Sequence, residues 1–323
     1  MQMIKQGGAL LAGSTSLHRS GQRRSRFLVV INKGPGAVPI AREGDAWDLM
    51  ELYFANNDIA ATESDPARSD ADYIVFERDR NMRKFAIIKR ILDALPNLFG
   101  YEAIMMLDDD VLPVGCTIAE IFTLFMRTGC RIGQPALSEG SYWSHEVVLR
   151  HARFRWRRTN FVEVMCPIMT AAAIRDYLPL FDETISAFGL DIYWSSEEWC
   201  RYGGVAVLDS TPMRHIRPVR GGTAYQGLSP GNERYAFLRR HKLRNFRHLT
   251  LYGEAINDGP LIDRMPMRYR SQLRDVARFY LLSIWQRVHF AIMQVVAFVL
   301  NTCAPRRPAQ SESEKGRGDD RSM

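Results

Sequence analysis

Lysine is scarce in this 323-residue sequence: it stands only at positions 5, 33, 84, 89, 242 and 315, so the basic charge rests on arginine. Guanidinium groups suit bidentate contacts to phosphates and carboxylates better than ammonium groups do. The formal net charge of +7 fits a nucleotide, an anionic membrane surface or nucleic acid. No nucleic-acid-binding motif accompanies that charge, so nucleic acid is not expected as a partner. The five cysteines, Cys116, Cys130, Cys166, Cys200 and Cys303, are scattered and odd in number. They form no Cys-x-x-Cys pair for zinc, and free thiols in a reducing cytoplasm are expected. Ala9–Ala12 is too short for the apolar core of a secretory signal, and arginines follow it. There is no P-loop and no Gly-x-Gly-x-x-Gly; Gly34 and Gly36 match neither pattern.

What is present is an ordinary globular composition, 46% hydrophobic and 24% charged. Residues 1–25 mix Gly, Ser, Gln and Arg without apolar periodicity and read as a disordered basic tail. Phe27–Ile31 is a buried-strand pattern opening into a Gly/Pro loop; Trp47–Phe54 and Ala71–Phe76 also read as strands. Residues 83–95 carry apolar side chains at helical spacing and stop before Pro96. Thr117 and Glu120 predict a capping box for a helix reaching Met126. Ile132–Leu137 reads as a strand leaving the sheet, Phe161–Cys166 as an alternating strand, and Gly204–Leu208 as another strand. Thr170 caps a helix to Leu178, and a further helix runs on to Tyr202. Strands alternating with helices predict an α/β domain with a mainly parallel, Rossmann-like sheet.

The chemistry gathers at Tyr101–Val111. Ala103–Leu107 is an apolar run of strand length, and Asp108, Asp109 and Asp110 follow it directly. Strand alternation would turn Asp108 and Asp110 to one side and Asp109 to the other. Adjacent carboxylates at the end of a buried strand repel one another, and a divalent cation such as Mn2+ or Mg2+ relieves that cost. A solvated acidic turn is the alternative. Residues 138–160, rich in aromatic and basic side chains, read as a flap over a phosphate-bearing ligand or as a solvated loop.

Taken in order, Met106-Leu-Asp-Asp-Asp-Val111, Gln134-Pro-Ala136, Phe161-Val-Glu-Val-Met165, Gly189-Leu-Asp191 with Trp194, Val207-Leu-Asp209 and His215-Ile-Arg-Pro218 form a recognisable series. Over residues 26 to 225 this series resembles the domain of unknown function 707 family, regarded as related to the GT-A glycosyltransferases. The resemblance implies a GT-A-like fold and transfer of a sugar from a nucleotide-sugar donor. By the same resemblance Asp108, Asp110 and His215 hold the metal, and Asp108, Asp109, Arg217 and Arg220 line the donor site. Asp191 is implied as the acceptor-side base, the alternative being a helix N-cap. Glu163 is a second acceptor-side candidate; a carboxylate in an apolar strand is otherwise on the solvent face. Trp143, Trp194 and Trp199 are candidates to stack on sugar rings, or core residues.

Past residue 225 the composition changes. Residues 226–304 read as a basic, helical C-terminal extension, and 305–323 as a disordered tail. The uncharged run 288–304 is about 17 residues, at the lower edge of a membrane span. Arginines beside Trp and Phe make 268–304 either an interfacial helix contacting the inner face of the membrane or a packed terminal helix. The leading expectation is a cytoplasmic, membrane-peripheral transferase with a saccharide or glycolipid acceptor. A nucleotidyltransferase and a non-catalytic carbohydrate-binding or scaffold protein are the alternatives.

Overall fold

The computed structural model describes residues 9–12, 14–19, 23–34, 37–42, 44–54, 69–79, 82–218, 229–243 and 250–255. Among them, twelve strands form one mixed sheet flanked by helices on both faces. The strands are β1 (Ala9–Ala12), β2 (Thr15–Arg19), β3 (Phe27–Lys33), β4 (Asp48–Phe54), β5 (Tyr73–Glu77), β6 (Ala103–Leu107), β7 (Val111–Pro113), β8 (Ile132–Leu137), β9 (Phe154–Thr159), β10 (Ile168–Thr170), β11 (Val205–His215) and β12 (Thr250–Ala255). The helices are α1 (Lys84–Ala94), α2 (Ile118–Thr128), α3 (Ala171–Tyr177), α4 (Leu190–Tyr202) and α5 (Pro230–Arg240).

Strand order is β1-β2-β5-β4-β3-β6-β10-β8-β11-β9-β12, with β7 laid against β11. The block β5-β4-β3-β6 is parallel, as is the pair β8-β11. The short β10 separates these parallel groups and runs antiparallel to both of its neighbours. The period of two shows how the sheet is covered. Leu28 and Val30 of β3, with Ile104 and Met106 of β6, join a core that includes α1, α3, α4 and α5. Phe27, Val29 and Ile31, with Ala103, Met105 and Leu107, join the opposite core under α2. Strands buried on both faces read as unbroken apolar runs.

Local signals are met where they are chemical. Thr117 and Glu120 make the reciprocal capping box of α2, which ends on Gly129 in a left-handed conformation, φ 64°. Thr170 accepts from the Ala173 N–H at the start of α3. α1 ends at Ala94, two residues before Pro96.

Several expectations are corrected. Part of the supposed disordered tail is strand: β1 and β2 form a hairpin and β2 pairs with β5, because Thr15 Oγ1 donates to the buried Glu77 and the backbone ladder continues. Ile132–Leu137 does not leave the sheet; β8 is paired on both sides. Phe161–Cys166 is irregular rather than strand, although the carbonyls of Met165 and Pro167 still accept from Asp108 and Met106. The segment 138–160 is no free flap, since its last part is β9, seated between β11 and β12. The described residues beyond 225, 229–243 and 250–255, are not all helical and belong to the main sheet and core. β12 pairs with β9, and Phe237 and Leu238 of α5 enter the main core. Among the described residues no helix is long and apolar enough to cross a membrane. The segment 268–304 lies outside the described residues, as do the tail 305–323 and Cys303; the buried Cys130 and Cys166 are free thiols.

Candidate functional site

β6 delivers the Asp triplet at its carboxyl end, where parallel strands present their ligands. The strand stops at Leu107, and the chain then turns, with the Val111 N–H donating to the Asp108 carbonyl. Strand alternation therefore no longer applies. Arg217 reaches both Asp109 and Asp110, so these neighbours face one cation instead of opposite sides of a sheet.

β11 supplies the other half of the site. It runs eleven residues, well past the end of β8, and pairs there with β7 so that His215 stands opposite Val111. The Ile216 N–H donates to the Asp110 carbonyl at 2.9 Å, fixing the two segments together. His215 Nε2 lies 3.2 Å from Asp110 Oδ2, and its Nδ1 lies 2.8 Å from the Tyr142 carbonyl. A carbonyl only accepts, so Nδ1 carries a hydrogen and Nε2 faces the carboxylate. An unprotonated Nε2 and a carboxylate repel, so the pair calls for a proton or a metal ion between them. Burial disfavours charge on both groups. The hydrogen bond and mutual attraction nevertheless outweigh it, holding Asp110 below the usual carboxylate range and His215 above the usual imidazole range.

Asp109 accepts from the Gly34 N–H at 2.7 Å, tying the loop after β3 to the triplet. Burial raises its carboxyl against the opposing pull of Arg217. A Cβ on Gly34 would come within 2.8 Å of the Asp109 carboxylate, so only glycine allows that approach. Asp108 is turned elsewhere: Lys84 Nζ lies 2.7 Å from its Oδ1, and Asn32 Nδ2 donates to the same atom at 3.3 Å.

Glu163 and Asp191 stand beside this centre. Glu163 is 3% exposed, and neither of its carboxylate oxygens has a hydrogen bond of good geometry. Burial first, then the negative charge of Asp191, lift its carboxyl to about 8 against the nearby His215 and the peptide groups of Ser144 and His145. Asp191 lies at the start of α4, where its Oδ1 accepts from Gly189 and Ile192 at 3.1 and 2.8 Å. Burial raises it to about 6, with those N–H groups and Arg234 pulling the other way. The N-cap of α4 is Gly189, so Asp191 is not the cap but the second residue of the helix, and its charge is felt by Glu163.

The other candidates meet different outcomes. Trp194 is 1% exposed and packs on Phe85 at 5.6 Å, so it is a core residue, as the apolar spacing of α4 requires. Trp199 is half-buried, whereas Trp143 and Tyr142 are exposed on the segment that holds His215. Arg220 lies outside the described residues. Arg157, taken as part of a basic flap, is buried; it grips Asp209 at 2.9 and 3.0 Å and donates to the carbonyls of Val147 and Leu149.

Lys84 was missed as a site residue. One signal was available, because Lys84 shares the inward stripe of α1 with Ile88 and Ile91, and a lysine on such a stripe needs a buried anion. As for a metal, two carboxylates and an imidazole are suitable donors for Mn2+ or Mg2+. Among the described residues, however, no three such side chains already converge as a site, and Asp108 is paired with Lys84. The fit is to Asp110 and His215 as a pair, with Asp108 adjacent.

No family model and no curated protein matches the sequence. Solved structures with a partial likeness include a fragment of S. aureus TarS in complex with UDP-GlcNAc (TM-score 0.44, 8% identity, 66% of this chain and 64% of that one). Another is GalNAc-T7 with UDP, GalNAc and Mn2+ (TM-score 0.46, 11% identity, 66% and 47%). A third is glucosyl-3-phosphoglycerate synthase from Mycobacterium tuberculosis in complex with Mn2+, UDP and phosphoglyceric acid (TM-score 0.41, 12% identity, 74% and 91%). The chain spans less than two thirds of the TarS fragment and under half of GalNAc-T7.

Proposed function

We propose that the chain is a glycosyltransferase that moves a sugar from a nucleotide-sugar donor to a hydroxyl of a saccharide or glycolipid acceptor. The observation that carries this reading is the convergence of Asp110, His215 and Arg217 at the end of β6, with Glu163 and Asp191 close enough to feel each other's charge. The leaving nucleoside diphosphate gains negative charge as the glycosidic bond breaks, and fixed positive charge stabilises it most where it develops. Arg217 would exchange its carboxylate partners for diphosphate oxygens, which its planar fork suits; Arg220 follows it closely in sequence. Asp110 and His215, with Asp108 nearby, would hold Mn2+ or Mg2+, which supplies Lewis-acid neutralisation of the diphosphate.

The two acceptor-side carboxylates divide their roles by environment. Asp191, at about 6, is ionised at neutral pH yet basic enough to take the proton of an attacking hydroxyl. Glu163, at about 8, keeps its proton near neutrality and donates a hydrogen bond to the bound sugar. A glycolipid acceptor would bring the chain to the cytoplasmic face of a membrane, where its arginine excess meets anionic lipid.

A second reading has one observation in its favour. Arg217 and Lys84 already neutralise the triplet, so folding needs no divalent cation and a non-catalytic carbohydrate-binding protein would keep the same arrangement. Calorimetry with UDP-, GDP-, ADP- and CMP-linked sugars, with Mn2+ and with chelator, separates the two. The transferase reading expects one donor to bind with metal and not to Asp110→Asn. A flat response from folded protein across the panel would favour the second reading.

A further inference from the structure

We propose that α5 is a positioning device for Asp191, with Glu233 and Arg234 as positioning residues acting on it from a helix that lies between β11 and β12 in sequence. The importance of this device for turnover rests on reading Asp191 as the base; the device itself does not.

The loop into α4 is held in an unfavourable shape. Ala187 sits at φ 63° and Gly189 at φ 103°, two left-handed residues within three. A non-glycine residue in that region costs about 1 kcal/mol and persists only where surrounding contacts impose it. α5 provides them. The Glu233 carboxylate accepts from the consecutive N–H groups of Ile185 and Ser186, at 2.5 and 2.7 Å. Glu183, at the start of the same loop, is gripped by Arg240 at 2.9 Å and His241 at 2.8 Å. Phe237 closes against Gly189 so tightly that a Cβ there would stand 2.8 Å from its ring and 3.6 Å from Arg234 Cγ.

These contacts end on Asp191. The Gly189 N–H is one of two that hold Asp191 Oδ1, so displacing Gly189 loosens the carboxylate directly. Among the described residues, Arg234 faces Asp191 from α5 and favours the anion, and Glu163 faces it from the 161–166 segment and opposes it when ionised. One helix thus holds the loop that shapes the base and supplies the positive charge that faces it.

The test uses full-length protein labelled with 13C at the aspartate carboxyls, with Asp191→Asn to assign the signal. Arg234→Met keeps the packing against Gly189 and removes the charge; it is expected to raise the Asp191 midpoint by about half a unit, and Arg234→Lys to restore it. Glu233→Ala is expected to speed amide exchange at Ile185, Ser186 and Gly189 about tenfold, with Glu233→Gln partly rescuing it. An unchanged midpoint in folded Arg234→Met, or unchanged exchange in Glu233→Ala, would overturn the proposal. Failure of every nucleotide sugar to bind, with both effects present, would sink the transferase reading and leave the α5 device standing.

Discussion

Lys84 and Asp108 form an ion pair of 2.7 Å in which the ammonium also donates to the Val164 carbonyl at 2.6 Å. One buried side chain therefore joins the first turn of α1, the Asp triplet and the irregular 161–166 segment that carries Glu163. Lys84→Met retains the aliphatic stem and removes both contacts. It is expected to lose about 1–3 kcal/mol of stability, less than a fully buried pair would, because Asp108 keeps a third of its side chain in solvent. Urea unfolding measures the loss; an unchanged midpoint would mean that the ammonium contributes nothing to holding the segment.

Glu163 predicts a pH dependence whose sign can be worked out. Its carboxyl lies at about 8 in the folded chain against 4.5 ordinarily, so between those values the folded state keeps a proton that the unfolded state has lost. Stability contributed by the neutral form is complete below pH 4.5 and falls as pH rises toward 8. Glu163→Gln removes this loss, so its melting temperature should exceed that of the parent by a few degrees at about pH 8.5 and match it near pH 5. Parallel melting curves across that range would show that Glu163 titrates normally.

Arg157 and Asp209 test a structural role where the sequence suggested ligand binding. Asp209 is fully buried, so Arg157→Met strands an anion and should cost about 3–5 kcal/mol. Adding Asp209→Leu should recover much of that cost, since the stranded charge is then gone. A double mutant no better than Arg157→Met would point instead to the lost donors for Val147 and Leu149.

For the candidate metal pair, His215→Ala and Asp110→Asn are expected to abolish metal-dependent donor binding, measured by calorimetry, while far-ultraviolet dichroism stays unchanged. Arg217→Ala should weaken binding of a nucleoside diphosphate about tenfold or more, with less effect on the free nucleoside. Equal weakening of both would remove Arg217 from the diphosphate.

Legibility followed the range of the interaction. Phe27–Ile31, Ala103–Leu107 and the α2 capping box could be read because their signals are local: apolar runs of strand length and a reciprocal cap. Asp110 and His215, 105 positions apart, were brought together on paper by the ordered resemblance and in space by the β7–β11 pairing. What could not be read was partner choice. Nothing near Arg157 distinguishes a phosphate ligand from Asp209, and nothing in Phe161–Cys166 announces that its backbone serves Lys84 and Asp108 in place of a regular ladder. The strands β1 and β2 were hidden by a composition of Gly, Ser and Arg, because pairing with β5 comes from far along the chain.

The outermost places in the sheet belong to β1 and β12, the first and last strands described, with β2 between β1 and β5. A shortened chain beginning at residue 26 would bare β5 along its full length, and one stopping at 225 would bare β9. Each is a row of unpaired backbone donors and acceptors ready to template another chain. The segments least recognisable as part of the fold therefore cover β5 and β9, and trimming the protein to its recognisable blocks would turn those two inner strands into edges.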